Sequence, residues 1–301
     1  MAAYTTGDEQ RRGRAHGLVH FTGKGSQVAL LEADKISVRF GGLQALDQAS
    51  LRVLEGEIVS IIGPNGAGKT TLFNALSGVQ DVDEGEIRLN GVTLDALPPH
   101  QRCRQGIGRT FQRVQLFGKL TAFENVLIGC EGKEGLGLWR SVAKTPRTAR
   151  RARFLEERAQ CALELVGIAD VAGQFAAGLP VGLSRRVELA RAIAGLPKVL
   201  LLDEPASGLD EQESRAFAEL LLSLPDEIGV ALLLVEHDVD LVSAISDQIY
   251  VLDFGCVIAQ GAPEDVLTDP AVVEAYLGMP LADENARPLS PRRSNSEPSS
   301  A

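Results

Sequence analysis

Eight consecutive residues, Gly63, Pro64, Asn65, Gly66, Ala67, Gly68, Lys69 and Thr70, have the types and spacing that hold a nucleotide phosphate. The glycines let the backbone curl so that several N–H groups point at phosphate oxygens, and a helix starting at Lys69 adds the positive end of its dipole. Lys69 supplies a point charge to the β- and γ-phosphates, the Thr70 hydroxyl is a ligand for Mg²⁺, and Thr71 stands within reach of the α-phosphate. Such a cradle needs a second metal-side carboxylate, carried to it on the end of a neighbouring strand. Val199-Leu-Leu-Leu-Asp203-Glu204 provides one. Asp203 directly follows four apolar residues and would hold Mg²⁺ through water, while Glu204 points elsewhere and can orient and deprotonate an attacking water. Together these residues define a P-loop nucleotide site and leave kinases, GTPases and motor ATPases all open.

The elements that must position these groups are legible as an α/β pattern. The run Glu57 to Ile62 is β-branched and stops at the glycine-rich turn, and Lys69 to Leu76 reads as the helix that follows. Ile36 to Phe40 and Leu51 to Val53 alternate as half-exposed strands. Val199 to Leu202 and Ala231 to Val235 are short, wholly apolar runs of the kind found in central parallel strands. Glu211 to Leu224 is the clearest helical pattern between them. Strands alternating with helices predict a layered α/β core. From about 113 to 180 the strand signal fades. Thr148 there reads as the N-cap of a charged amphipathic helix that runs to Val166 and ends at Gly167, so a helical subdomain inserted in the core is expected. Residues 1–28 form a polar, glycine-rich extension, 29–280 the folded domain, and 281–301 a Ser/Pro/Arg-rich tail expected to be disordered.

Composition narrows the partners. The 301 residues are 45% hydrophobic, enough for a sizeable core, and a net charge of −10 argues against a free-standing nucleic-acid binder. Four cysteines, Cys103, Cys130, Cys161 and Cys256, lie far apart without a C-x-x-C pair, which reads as buried filler in a reduced, cytoplasmic chain. The longest apolar run, Ile228 to Val235, is far short of the roughly 18 residues that span a bilayer. Any work at a membrane therefore requires a partner.

Further motifs, in fixed order along about Leu30 to Leu277, resemble the ATP-binding cassette (ABC) family. That resemblance implies a P-loop α/β cassette with an antiparallel β subdomain and an inserted helical subdomain, binding ATP and Mg²⁺. Gln112, in Arg109-Thr-Phe-Gln112, resembles the family's Q-loop glutamine, which contacts Mg²⁺ and the reacting water and reports the nucleotide state. Ser207, Gly208, Leu209 and Asp210 resemble the D-loop that crosses a dimer interface. His237 resembles the switch histidine at the γ-phosphate, and Phe40 stands where the family places an aromatic on adenine. The catalytic set implied is Glu204, His237 and Gln112, with Thr70, Gln112 and Asp203 on the metal.

The family signature, which contacts nucleotide on the opposite subunit, is L-S-G-G-Q. Here it reads Leu179-Pro180-Val181-Gly182-Leu183, so a proline replaces the serine and a leucine the glutamine. Losing one hydroxyl bond to a charged group costs on the order of 1.5–3 kcal/mol. The following helix still offers its N-terminal dipole, and Arg185 and Arg186 are candidates to compensate or to serve the structure.

Several stretches are similar to the ATPases of branched-chain amino acid importers, where a proline-for-serine signature also occurs. These are Phe40 to Leu46, Arg109 to Phe117, Ser184 to Arg191, the long segment from Gly132 to Arg153, and Gly261-Ala-Pro-Glu-Asp-Val266 through Gly278. The segment after Cys130 carries Trp139, the only tryptophan, beside Arg140, Lys144, Arg147, Arg150 and Arg151. An aromatic among cations suits lipid headgroups or an acidic partner face. The resemblance implies integral-membrane permease subunits, a second cassette, identical or paralogous, and, indirectly, an extracytoplasmic substrate-binding protein. It implies no nucleic acid, and a peripheral place on the cytoplasmic face of the membrane. A lipopolysaccharide-type exporter ATPase and a soluble ABC ATPase not coupled to transport are the alternatives.

Overall fold

The computed structural model describes residues 29–131 and 146–277. The N-terminal extension, the Trp139 segment and the C-terminal tail lie outside the described residues.

In chain order the elements begin with strands β1 (Leu31–Phe40), β2 (Leu43–Val53) and β3 (Ile58–Ile62), then helix α1 (Lys69–Ser77), β4 (Glu84–Leu89), β5 (Val92–Thr93), α2 (Pro99–Gln105) and β6 (Ile107–Arg109). Three helices follow, α3 (Ala122–Glu131), α4 (Pro146–Leu165) and α5 (Val181–Ala194). The chain then alternates through β7 (Val199–Asp203), α6 (Glu211–Ile228), β8 (Ala231–Val235), α7 (Val239–Ile245), β9 (Gln248–Asp253), β10 (Cys256–Gly261), α8 (Pro263–Val266) and α9 (Pro270–Leu277).

Two sheets organise these strands. One has the order β2-β1-β4-β5 and is antiparallel throughout. The other has the order β10-β9-β3-β8-β7-β6 and is parallel except where β10 closes its edge on β9. The three central strands β3, β7 and β8 are buried at every position. That matches their apolar composition, because crossover helices cover both faces of a parallel sheet.

A buried layer from α3, α4 and α5 packs Val126, Cys130, Leu155, Ala159, Leu163, Val187 and Ala190 together. Because α5 belongs to this layer, the helical region runs beyond the expected boundary near 180 to Ala194. The expected cap at Thr148 is corrected: α4 already starts at Pro146, so Thr148 lies inside its first turn. Gly167, with φ +73°, does follow the helix in the left-handed conformation that ends helices. Helix α6 runs on through Pro225 to Ile228, past the Leu224 limit expected from sequence. Of the cysteines, Cys130 is buried but Cys103 is exposed, so the filler role does not extend to all four.

Candidate nucleotide-hydrolysis site

Strand order creates the site. Strands β3, β8 and β7 are neighbours in parallel register, with Ile61 opposite Val235 and Val235 opposite Asp203. Their carboxyl ends therefore stop at one level, where open α/β sheets bind ligands. The cradle leaves β3, Asp203 and Glu204 leave β7, and Glu236 and His237 leave β8. Two cross-strand backbone bonds hold these ends level: Glu204 N–H donates to the Val235 carbonyl at 2.9 Å, and Glu236 N–H to the Ile61 carbonyl at 3.4 Å.

The cradle requires its glycines sterically. A Cβ on Gly63 would meet the Leu252 carbonyl oxygen at 2.0 Å, and one on Gly68 the Ala45 carbonyl oxygen at 2.5 Å. Gly68, at φ +103°, is also the residue from which α1 starts. The Lys69 ammonium bends back over the loop, donating to the carbonyls of Gly63 (2.6 Å) and Pro64 (2.9 Å). Burial pulls this ammonium below its ordinary range, and the Glu204 carboxylate partly opposes that shift. A half-buried cation held only by neutral carbonyls has much to gain from a phosphate oxygen. Thr70 is exposed at the start of α1, and Thr71 is half-buried beside it. Asp203, Thr70 and Gln112, the residues expected on the metal, offer a carboxylate, a hydroxyl and an amide oxygen, all hard donors. That set suits Mg²⁺ completed by phosphates and water.

Asp203 is buried, and burial pushes its carboxyl up while the Arg109 guanidinium pulls against the shift. Arg109 reaches it from the end of β6, with Nη2 3.4 Å from Oδ2, and its Nη1 donates to Asn74 Oδ1 (2.8 Å) and Ser77 Oγ (2.7 Å) on α1. The same guanidinium lies 6.0 Å from the centre of the Phe73 ring and 5.4 Å from that of Phe111. Sequence reasoning assigned Arg109 no role; it ties the Asp203 carboxylate to the helix that carries Lys69.

Glu204 has φ +45°, in the left-handed region that side-chain-bearing residues rarely adopt. Such a conformation costs of order 1–3 kcal/mol and persists only where the surroundings impose it. Here its N–H bond to Val235 and its carbonyl, which accepts from the Ser207 N–H at 3.1 Å, impose it. The carboxylate accepts a hydrogen bond from Gln112 Nε2 at 2.9 Å, so two residues 92 positions apart in sequence meet. His237 follows the end of β8 with its side chain 70% exposed, its Nδ1 3.7 Å from Glu236 Oε2. Phe40, at the tip of the β1–β2 hairpin, is 49% exposed. The Ala45 carbonyl of the second hairpin strand backs Gly68 of the cradle.

The signature and D-loop meet each other. Pro180 caps α5, Val181 is exposed, and Val181 Cγ1 lies 3.6 Å from where a Cβ of Gly208 would be. Asp210 caps α6 in a reciprocal box: its carboxylate accepts from Glu213 N–H at 2.8 Å, and the Glu213 carboxylate accepts from Asp210 N–H at 3.2 Å. A Cβ on Gly182 would fall 2.6 Å from that Glu213 carboxylate. Among the described residues, no hydrogen bond joins Pro180, Val181 or Gly182 to the cradle.

Within this subunit Arg185 and Arg186 both serve the structure. Arg186 donates to the Val166 carbonyl at 2.8 Å, and Arg185 is buried. Its Nη1 donates to the Phe111 carbonyl (3.3 Å), and its Nη2 to the carbonyls of Gln112 (2.8 Å) and Ser207 (3.2 Å). One guanidinium thus ties α5 to both the Q-loop and the D-loop, and the buried Glu188 carboxylate pairs with it at 3.6 Å. Arg185→Ala would leave Glu188 a buried charge with only Arg191, 3.9 Å away, as a cationic partner. Breaking a buried pair from one side costs about 3–5 kcal/mol, and urea unfolding should show a loss of that size. A loss under about 1 kcal/mol, the scale of a surface ion pair, would show that the network is not held by Arg185.

Comparison with known proteins agrees with this geometry. The family described as "ABC transporter" matches residues 46–207, and the one described as "Branched-chain amino acid ATP-binding cassette transporter" matches residues 256–278. The chain is 43% identical over 249 residues to the high-affinity branched-chain amino acid transport ATP-binding protein LivG of Salmonella typhimurium, covering 83% of this chain and 98% of that one. It is 42% identical to BraF of Pseudomonas aeruginosa, with the same coverage. Among solved structures, the ADP conformation of MJ1267, an ATP-binding cassette of an ABC transporter, aligns with a TM-score of 0.73 at 32% identity, over 84% of this chain and all of that one. The dimeric post-hydrolysis state of the cassette MJ0796, bound to ADP and Pi, aligns with a TM-score of 0.65 at 26% identity, over 77% and 98% of the two chains. With a phosphate cradle, a strand-end carboxylate pair and these relatives, the chain belongs to the ABC transporter family, in its branched-chain amino acid group, and its activity is ATP hydrolysis.

Proposed function

We propose that this chain hydrolyses ATP with Mg²⁺ at the cytoplasmic face of the cell membrane, powering uptake of branched-chain amino acids or a related small polar solute through separate permease subunits. An extracytoplasmic binding protein delivers the solute, and a second cassette, identical or paralogous, completes the ATPase. The observation that carries the reading is the Gln112–Glu204 hydrogen bond beside the cradle. It joins the proposed catalytic base to a loop that reaches the molecular surface, which is what coupling hydrolysis to a partner requires.

Lys69 and the loop amides hold the β- and γ-phosphates, and Phe40 stacks on the adenine. Thr70, Asp203 and Gln112 would hold Mg²⁺, which would neutralise charge developing on the phosphate oxygens. Glu204 Oε2 takes a proton from the attacking water, which Gln112 orients, and His237 fixes the γ-phosphate. The signature residues Pro180, Val181 and Gly182 make their phosphate contact in trans, with α5 supplying its N-terminal dipole and the D-loop, Ser207 to Asp210, lining the seam. That arrangement accounts for a signature that bonds to nothing in its own cradle.

Among the described residues no helix is long and apolar enough to cross a membrane. An apolar surface does lie beside the Q-loop: Phe117 and Phe175 are 54% and 62% exposed, and Ala176 N–H donates to the Leu120 carbonyl between them. Exposed apolar side chains grouped in this way suit a protein partner, and a permease docked there would move with Gln112. The test is co-expression with branched-chain amino acid permease subunits and their binding protein. The expected result is joint purification and ATP-dependent leucine uptake in proteoliposomes. Recovery with nucleic acid instead, or hydrolysis that no permease accompanies, would overturn the transport assignment.

A further inference from the structure

The site contains a buried carboxylate that none of these steps uses. Glu236, at the end of β8, is 1% exposed, and no lysine or arginine forms an ion pair with it among the described residues. Its Oε1 accepts from the Ala206 N–H at 3.0 Å, and its Oε2 accepts from the His237 N–H at 3.3 Å. His237 Nδ1 lies 3.7 Å from the same Oε2. A carboxylate this deep is costly to bury unless its hydrogen bonds are put to use. Both amides that it accepts from belong to the proposed machinery: Ala206 directly precedes the D-loop, and His237 is the residue assigned above to the γ-phosphate.

We propose that Glu236 is a positioning residue for hydrolysis, locking the backbone of His237 to the backbone of the D-loop turn so that the two shift as one unit. The proposal rests on the ATPase reading above and assigns it a device that the catalytic set lacks. Burial raises the Glu236 carboxyl above its ordinary range, while the Ala206 and His237 amides pull it back. Its bonds to those two amides are therefore strongest when it is ionised. The opposite edge of the same turn is already held by Arg185 at the Ser207 carbonyl. Glu236 and Arg185 thus grip adjacent residues, one from the switch strand and one from the signature helix.

The experiment is Glu236→Gln, studied in the full chain with steady-state ATP hydrolysis and amide hydrogen exchange. Gln keeps the volume but turns an NH₂ toward one of the two amide donors, so one bond must fail. The expected result is a fall in kcat of at least about tenfold, the scale for losing a hydrogen bond to a charged group. KM for ATP should stay within about twofold of wild type, because positioning acts on the chemical step rather than on uniform binding. Exchange should quicken at the Ala206 and His237 amides while β8 stays protected. Should the Gln variant fail to fold, Glu236→Asp, which keeps the charge on a shorter reach, should fold and show an intermediate kcat. Full turnover in a folded Gln or Asp variant, or a KM that rises as far as kcat falls, would overturn the proposal. A wild-type protein with no ATPase activity would sink the functional reading instead, so the two failures are distinguishable.

Discussion

Replacing Glu204 with Gln is expected to lower ATP turnover by about a hundredfold to ten-thousandfold, the range that a positioned general base supplies. The amide cannot take a proton from water, yet its carbonyl oxygen can still accept the bond that Gln112 Nε2 now gives to Oε2. Geometry is therefore kept while basicity is lost. The variant also removes a negative charge from the neighbourhood of Lys69 and the bound phosphates, so ATP binding should persist or tighten. Gel filtration with ATP should then show a stable dimer in which nucleotide is trapped. Turnover assays decide the matter: hydrolysis at the wild-type rate would take Glu204 out of its role and require another base.

Lys69→Ala has the second large effect and acts at an earlier step. Removing a charge that pairs with a buried ligand charge costs about 2–5 kcal/mol, which is at least roughly 30-fold in Kd. The fold should tolerate the change, because Lys69 is the first residue of α1 and alanine is the best helix former. The carbonyls of Gly63 and Pro64 would lose the donor they share. Titration with a fluorescent ATP analogue measures the loss directly. Undiminished binding would mean that the loop amides alone hold the phosphates.

These variants can be named in advance because the cradle, Asp203 and Glu204 are legible in sequence. A loop that turns its amides inward admits few residue types, and a carboxylate that ends an apolar strand has only one place to go. The central strands were equally clear, since burial on both faces leaves an unbroken apolar run. The remaining strands were harder. β4, β9 and β10 carry mixed or short patterns whose pairing depends on partners distant in sequence, as when β9 joins β3. Buried ions were harder still. The sequence leaves Arg185 between two roles and gives Glu236 none, because nothing local announces that three carbonyls or two amides wait for them in the folded state. Thr148 had the type of a cap, but the helix begins two residues before it.

The capping box at the start of α6 bears on how the signature has drifted. At position 182 the space a methyl group would need is occupied by the Glu213 carboxylate, which is committed to the Asp210 amide. A larger residue there would displace the end of the exposed, flexible Glu213 side chain from the Asp210 amide, a shift that side chain can make at little cost. Pro180 and Val181 are exposed at the same turn and meet no such obstacle. Intramolecular packing thus leaves the serine position, Pro180, free to change, and at Gly182 it requires only that the Glu213 side chain move. A departure that looks damaging when judged by the ligand alone falls where this subunit's own architecture is most permissive.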